Sequence, residues 1–156
     1  MISIARPGQA NLEIEFILID FEGTLAQDRR VHPKAKDKIN LLSKRAKIYI
    51  LTKEEKNLVE EALKRVKAEI VSFMEGEASQ KKLDFLRQLG ATRTVVIGNG
   101  ADDVPMIEEA GLGICVLSKE GTFTEAMKRA DLVFINILDA FDFLLKPLRQ
   151  KATLGC

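Results

Sequence analysis

The chain has 156 residues, of which 46% are hydrophobic and 30% are charged, with a formal net charge of +1 at pH 7. This length and composition are typical of one globular domain with a single core, and the small net charge favours no particular class of partner. No apolar run approaches the roughly 18 residues of a membrane-spanning helix, so no membrane partner is expected.

The predicted elements begin with an antiparallel hairpin. Residues 2–6 and 10–14 alternate apolar and polar side chains around a turn at Pro7-Gly8, and the second strand continues into the apolar run 16–19. Beyond this run, apolar positions at helical spacing alternate with short runs that are typical of strands. Strands are predicted at 47–52, 69–73, 94–97, 112–117 and 132–135, and helices at 34–46, 54–67, 77–89, 103–110, 122–129 and 137–145.

This alternation predicts βαβ units and therefore an α/β fold. We expect a Rossmann-like three-layer α/β/α sandwich with a mostly parallel sheet. Ligands of such sheets bind beyond the carboxyl ends of the strands. In this chain, polar side chains that can bind a cation or a phosphate gather at those positions, namely Asp20, Glu22, Thr52, Asn99, Asp102 and Asp103.

These side chains indicate a metal-assisted phosphoryl site. Close carboxylates repel one another and need a cation, and oxygen ligands of this kind favour Mg²⁺ together with a substrate phosphate. A carboxylate beside such a cation can also attack phosphorus as a nucleophile. The charge on a transferred phosphoryl group needs a basic side chain nearby. Lys82 lies on the otherwise apolar stripe of the third predicted helix, and Lys81 is the alternative.

Four segments in this order resemble the motifs of the haloacid dehalogenase-like (HAD) hydrolase superfamily. They are "DFEGTL" at 20–25, "ILT" at 50–52, the helical lysine, and "GNGADDVPM" at 98–106. Within the superfamily the chain is most similar to the soluble P-type ATPase-like proteins, which resemble the phosphorylation domain of those pumps. The resemblance covers residues 12–148 and implies an HAD-like fold.

The resemblance also implies a role for each matched residue. Asp20 would be the nucleophile and a metal ligand. Glu22 would be the general acid/base and would lend its backbone carbonyl to Mg²⁺. Thr52 and Lys82, or Lys81, would bind and neutralise the phosphoryl oxygens. The phosphate and substrate contacts would be completed by Gly23, Gly100 and Arg29, and the metal site by Asn99, Asp102 and Asp103.

Two matched positions differ from the common pattern of the superfamily. Glu22 stands where many of its phosphatases have Asp and the pumps have Thr, and it keeps the proton-transfer chemistry with one more methylene. In "GNGADD", Asn99 and Asp102 stand where the usual "GDGxND" has the acid and the amide, so the number of negative charges is unchanged. An amide oxygen can still bind a hard cation, though more weakly. The sequence leaves open whether Asp102 or Asp103 dominates metal binding.

The spacing of the motifs predicts that no cap domain is present. The predicted elements take up the residues between Asp20 and Thr52 and those between Thr52 and the helical lysine. We therefore expect one HAD-like domain over 1–156, with the hairpin at 1–15 and a C-terminal tail at 149–156. Capless relatives accept large substrates or close their sites by oligomerising, so a homo-oligomer stays open as an alternative.

Positive charge is concentrated between residues 29 and 47, where eight Lys or Arg residues accompany one acid, Asp37. This segment is either a solvated helix face and loop or a basic rim that steers an anionic substrate. The two cysteines, Cys115 in an apolar run and Cys156 at the last position, predict no disulfide framework and favour a reducing, cytoplasmic location. A single tyrosine and no tryptophan leave little for base stacking, so nucleic-acid binding is not indicated. The one histidine, His32, is interpreted as structural or exposed.

The leading interpretation is an Mg²⁺-dependent phosphatase or phosphotransferase that works through an aspartyl-phosphate at Asp20 on an anionic phosphorylated substrate. The alternative from another class is a catalytically weak or inactive HAD-fold module with a regulatory or interaction role, which Asn99 supports. A receiver of the response-regulator type also places an aspartate at a strand end. The "DFEGT" turn and the late "GNGADD" loop of this chain, however, fit a receiver domain poorly.

Overall fold

The computed structural model describes residues 1–74 and 76–155. In chain order its elements are β1 (Ile2–Ile4), β2 (Leu12–Ile14), β3 (Phe16–Asp20), β4 (Ala26–Gln27), β5 (Arg30–Val31), α1 (Pro33–Leu42), β6 (Lys47–Thr52), α2 (Lys56–Ala62), β7 (Glu69–Ser72), α3 (Ala78–Leu89), β8 (Thr94–Gly98), α4 (Val104–Glu109), β9 (Leu112–Val116), α5 (Thr124–Arg129), β10 (Leu132–Phe134), α6 (Ile137–Leu145) and α7 (Pro147–Leu154).

Six parallel strands form the central sheet in the order β10-β9-β8-β3-β6-β7, which confirms the predicted α/β architecture. The predicted N-terminal hairpin is confirmed as well, because β1 and β2 pair antiparallel with Ile2 opposite Ile14. Its second strand does not continue into the run 16–19, because β2 ends at Ile14 and β3 belongs to the central sheet. The chain order reverses on either side of β3, so the carboxyl end of β3 lies at the point where ligands bind in such sheets.

The apolar run before Asp20 is unbroken because both faces of β3 are covered. Ile17 and Ile19 belong to a core cluster that includes the hairpin, α1 and α6. Leu18, between them, belongs to a second cluster with residues of α3, α4 and α5. Successive side chains of a strand point to opposite faces, so a strand buried on both faces has no polar alternation. The three-layer arrangement follows from these two clusters.

Several helix boundaries differ from the sequence prediction, including that of α1, which ends at Leu42 rather than at 46. The helix predicted at 54–67 ends early, because Arg65 adopts a left-handed conformation at φ 66° and the Asn40 side chain binds the backbone of Arg65 and Lys67. The C-terminal tail predicted at 149–156 is largely the helix α7, which begins at Pro147. Proline is favourable in the first turn of a helix, so it starts this element rather than only ending the previous one.

The segment between β3 and α1 is a small hairpin, β4–β5, which we call the flap. Its two turn residues, Asp28 and Arg29, have φ angles of 51° and 64°, as a tight two-residue hairpin turn requires. His32 follows the flap and caps α1, accepting the backbone N–H of Lys34 at its Nδ1 at 3.0 Å, which fits its structural interpretation.

Three observations bear on the remaining predictions of environment. None of the helices in the described part of the chain has the length and hydropathy that crossing a membrane requires. Cys115 is a free thiol in β9, and burial raises its pKa to about 11; Cys156 lies outside the described residues. In the basic segment, Lys38 and Lys47 form ion pairs with Asp142 and Glu69, so part of its positive charge is already paired.

Candidate active site

The predicted site residues come from the ends of three adjacent strands. Asp20 is the last residue of β3, Thr52 is the last residue of β6, and Asn99 directly follows β8. All three are buried, with Asp20 only 4% exposed. Parallel strands bring their carboxyl ends to one edge, which is why residues so far apart in the chain meet here.

Lys82, and not Lys81, reaches the centre of this cluster. Its Nζ donates to Oδ1 of Asp20 at 2.8 Å and to Oδ1 of Asp103 at 2.9 Å. Lys82 lies on the buried stripe of α3 with Ala78 and Leu86, whereas Lys81 is on the exposed side of the helix. The helical spacing seen in the sequence therefore selected the lysine that the structure places beside Asp20.

The two adjacent acids of the "GNGADD" loop have separate environments. Asp103 is buried, and its Oδ2 accepts the backbone N–H groups of Asn99 at 3.0 Å and Gly100 at 3.1 Å. Asp102 lies at the rim, where its carboxylate pairs with Nζ of Lys53 at 2.5 Å. Asp103 thus holds the loop and Lys82 in place, while Asp102 does not enter the central cluster.

Thr24 bridges the first and last motifs, a contact that sequence reasoning missed. Its Oγ1 lies 3.0 Å from Oδ2 of Asp20 and 2.9 Å from Oδ1 of Asn99, and Asn99 donates from Nδ2 to the Gly121 carbonyl at 3.1 Å. One hydroxyl hydrogen cannot serve both acceptors at once, so Asp20 and Asn99 compete for it. The "GT" of the first motif was the available signal, because a small hydroxyl after the turn faces back toward the strand end.

Glu22 is held by the end of β6 and not by Asp20. Its Oε1 accepts the Thr52 hydroxyl and, at 3.0 Å, the backbone N–H of Lys53. Its Oε2 is buried and has no hydrogen-bond partner among the described residues. The Thr52 hydroxyl, predicted to bind a phosphoryl oxygen, also accepts the backbone N–H of Glu54 at 3.0 Å. Thr52 and Lys53 therefore form a donor pair that Glu22 occupies.

The buried charges are not balanced. Burial and the neighbouring Asp103 carboxylate raise the pKa of Asp20 well above its usual value, and Lys82 opposes this rise. Burial lowers the pKa of Lys82, but the two carboxylates outweigh burial, so its pKa lies above the ordinary value. Lys82 therefore stays protonated between two acids, and the cluster favours the arrival of additional positive charge.

The donor atoms at this centre fit a hard divalent cation. Within residues 1–74 and 76–155, no group of three or more His, Cys, Asp or Glu side chains is arranged to hold a metal ion. Asp20 and Asn99, however, direct one oxygen each toward the same Thr24 hydroxyl. A carboxylate and an amide oxygen, completed by waters, suit Mg²⁺, which keeps several waters in protein sites.

The flap and the loops after β6 and β9 enclose a cavity of about 370 Å³ beside Glu22. Arg29, expected to meet an anionic substrate, instead pairs with Glu54 at 2.9 Å, and the backbone N–H of Asp28 donates to Glu120 at 3.3 Å. Carboxylates outnumber the single guanidinium in the lining, so the cavity does not form the basic rim that the sequence suggested.

The chain is 38% identical over 77 residues to an uncharacterized protein of Methanocaldococcus jannaschii, a match that covers 49% of this chain and 83% of the archaeal protein. The chain belongs to the same family as that protein. No family model matches the sequence.

Among solved structures, one from Streptomyces avermitilis assigned to the HAD-family hydrolases matches with a TM-score of 0.73 at 20% identity, covering 88% of each chain. The chain has the HAD-like fold. The 3-deoxy-D-manno-octulosonate 8-phosphate phosphatase of Moraxella catarrhalis, in complex with magnesium, phosphate and sugar, matches this HAD-like chain with a TM-score of 0.72 at 15% identity over 92% of this chain and 93% of that one. The cobalt-bound deoxy-D-mannose-octulosonate 8-phosphate phosphatase of Haemophilus influenzae matches with a TM-score of 0.71 at 16% identity. This match covers 91% of this chain and 92% of that one.

These likenesses confirm the predicted fold. In the described residues, the connections from β3 to α1 and from β6 to α3 carry only the flap and the α2–β7 unit, so no cap domain is inserted there. The narrower likeness to soluble P-type ATPase-like proteins stays a prediction, as do the roles of the individual site residues.

Proposed function

We propose that this HAD-like chain is an Mg²⁺-dependent phosphatase or phosphotransferase that forms an aspartyl-phosphate on Asp20. The observation that carries the proposal is the buried Asp20 carboxylate at the end of the central strand, held 2.8 Å from the Lys82 ammonium. A nucleophile for phosphorus needs a fixed carboxylate, and the phosphoryl group that it receives needs fixed positive charge.

In the first step, an oxygen of Asp20 bonds to phosphorus while the bond to the leaving-group oxygen breaks, and Glu22 donates a proton to that oxygen. Lys82 stays protonated and stabilises the negative charge on the transferred group. In the second step, water attacks phosphorus, Glu22 accepts its proton, and Asp20 is released as a carboxylate. When bound by Asp20, Asn99 and the Glu22 carbonyl, Mg²⁺ would supply further neutralisation of the phosphoryl oxygens.

The composition of the cavity supports a particular class of substrate. Glu22, Asp28, Glu54 and Glu120 contribute carboxyl groups around a single guanidinium, which is already paired. A second anionic group on the substrate would be repelled there, whereas hydroxyl or amino groups would find acceptors. We therefore propose a phosphate monoester whose phosphate is its only anionic group, such as a polyol phosphate.

A non-catalytic regulatory module is the second candidate. The observation that favours it is that the Glu22 carboxylate accepts hydrogen bonds from the Thr52 hydroxyl and the Lys53 backbone N–H. In this arrangement Glu22 occupies donors that a phosphate would use. In this candidate the fold and a metal site serve binding alone.

The deciding experiment is a panel of phosphate monoesters assayed with MgCl₂ or with EDTA, using the wild type, Asp20→Asn and the exposed-site control Asp37→Asn. We expect Mg²⁺-dependent turnover that is lost in Asp20→Asn and kept in the control. Acid quenching should trap a hydroxylamine-sensitive acyl phosphate only where Asp20 is present. An undiminished rate in Asp20→Asn refutes the mechanism, and no turnover of any ester by the wild type favours the non-catalytic module.

A further inference from the structure

The donor pair at the end of β6 has the form of an oxyanion site. The Thr52 hydroxyl and the Lys53 backbone N–H converge on one oxygen of Glu22, the latter at 3.0 Å. Thr52 lies on the strand next to Asp20, whose partner in the sheet register is Leu51. Hydrogen bonds from fixed donors to an ionised oxygen are stronger than those between neutral groups, and carboxylate and phosphate oxygens are interchangeable acceptors for such donors.

We propose that Glu22 determines the affinity of the site for phosphate by occupying this donor pair itself. Its carboxylate stands where a phosphoryl oxygen binds during turnover, so the ligand must first displace it. The inference rests on the proposed function and adds to it: the residue that transfers the proton is also an internal competitor of the substrate.

The reach of Glu22 comes from its side chain, because its backbone is fixed. Gly23 N–H donates to the Ala26 carbonyl and Ala26 N–H donates to the Phe21 carbonyl, both at 2.9 Å, so the turn around Glu22 is closed. An aspartate on this backbone would be shorter by one carbon–carbon bond, about 1.5 Å. It could not keep a 3.0 Å contact with Lys53 N–H, whereas a glutamine could.

The displaced side chain has space to enter. Glu22 lines the 370 Å³ cavity under the flap, and Arg29 lines the same cavity. The buried Oε2 of Glu22 has no partner among residues 1–74 and 76–155, so the occupied arrangement leaves one acceptor unsatisfied. An unsatisfied buried acceptor makes this arrangement less favourable, which eases departure when a ligand arrives.

The test measures binding of inorganic phosphate by calorimetry at one saturating MgCl₂ concentration, so it does not depend on turnover. Glu22→Asp keeps the charge but loses the reach, and Glu22→Gln keeps the reach but loses the charge. We expect about tenfold tighter phosphate binding by Glu22→Asp, a change of about 1.4 kcal/mol. Glu22→Gln should tighten binding by no more than about threefold, because its neutral amide oxygen still accepts both donors, though more weakly than a carboxylate does.

Each result has one meaning. If Glu22→Gln tightens binding as much as Glu22→Asp, charge repulsion explains the effect and the inference is overturned. Unchanged or weaker binding by Glu22→Asp also overturns it, provided that circular dichroism shows a folded variant. Should Glu22→Asp fail to fold, Glu22→Ala replaces it and must exceed Glu22→Gln. If no variant binds phosphate while the wild type turns over esters, only the inference fails; if turnover is also absent, the proposed function fails with it.

Discussion

Replacing Asp20, the proposed nucleophile, should make the protein more stable while it removes the proposed activity. In Asp20→Asn, the cluster around Lys82 changes from two carboxylates and one ammonium to one of each. The two acid oxygens lie 2.8 and 2.9 Å from the same nitrogen, so they are less than about 6 Å apart. At an effective dielectric constant of about 20, such a pair of charges repels by about 3 kcal/mol. At the same dielectric constant the lost attraction to Lys82 at 2.8 Å is about 6 kcal/mol, which exceeds this repulsion. The sign of the change is therefore set by the lost desolvation of a buried charge, which is the largest cause of the raised Asp20 pKa.

The hydrogen bonds of Thr24 also improve in this variant. In the wild type, one hydroxyl hydrogen faces both Asp20 and Asn99. An amide at position 20 can donate from Nδ2 to Thr24, which then donates to Asn99, while its oxygen still accepts from Lys82. One added hydrogen bond contributes about 1 kcal/mol, and we expect a total gain of about 2 kcal/mol in the free energy of unfolding.

For a chain of this size, that gain raises the Tm by about 4–8 °C, measured by circular dichroism in EDTA. The gain depends on pH in a defined direction. The pKa of Asp20 is raised on folding, so its charge lowers wild-type stability at high pH, and this loss disappears as the pH falls through the folded pKa toward the unfolded value near 4. The Tm difference should therefore be largest at neutral pH and shrink in acid. A lower Tm for Asp20→Asn at neutral pH, or an equal rise in the exposed control Asp37→Asn, refutes the reasoning.

Three further predictions use the same contacts. Lys82→Met should lower the free energy of unfolding by about 3–5 kcal/mol, because two buried acids lose their counterion. In urea unfolding, Lys81→Met on the exposed side of the same helix should lower it by much less, and equal losses would contradict the assignment. Asn99→Asp should bind Mg²⁺ about tenfold more tightly by calorimetry yet lower the Tm in EDTA, because it adds a buried carboxylate ligand; weaker Mg²⁺ binding would argue against a ligand at this position. Gly23→Ala should destabilise by about 1 kcal/mol more than Gly8→Ala in the same assay. Both glycines have positive φ, but only the added Cβ at position 23 meets a neighbour, Asn99 Nδ2 at 3.1 Å.

Sequence patterns predicted the fold well because its strands and helices are locally consistent. The apolar run before Asp20 and the position of Lys82 on the same helical stripe as Ala78 both follow from burial, so periodicity was sufficient for these two features. The motif order then placed Asp20, Thr52 and Asn99 at one sheet edge. None of these inferences required a side chain to choose between two partners.

The parts that the sequence did not predict depend on such choices. Glu22 could face either Asp20 or the end of β6, and only the fixed turn around it and the donors of Thr52 and Lys53 decide. Arg29 was expected to meet substrate because it is basic and near the site. Its partner, Glu54, follows a different strand, and no local pattern reports that pairing.

The loop "GNGADD" shows why counting charges was insufficient. By composition, exchanging acid and amide between positions 99 and 102 leaves the net charge unchanged. The charge of the buried part of the loop does change, because Asn99 is buried beside Asp20, whereas Asp102 is at the rim and pairs with Lys53. The exchange therefore moves one negative charge out of a buried cluster that already holds Asp20 and Asp103 around one ammonium. A third buried carboxylate would need a bound cation to be tolerated, so Asn99 favours stability of the metal-free protein. If Asn99 binds Mg²⁺ as proposed, this stability comes with a lower metal affinity than an aspartate would give.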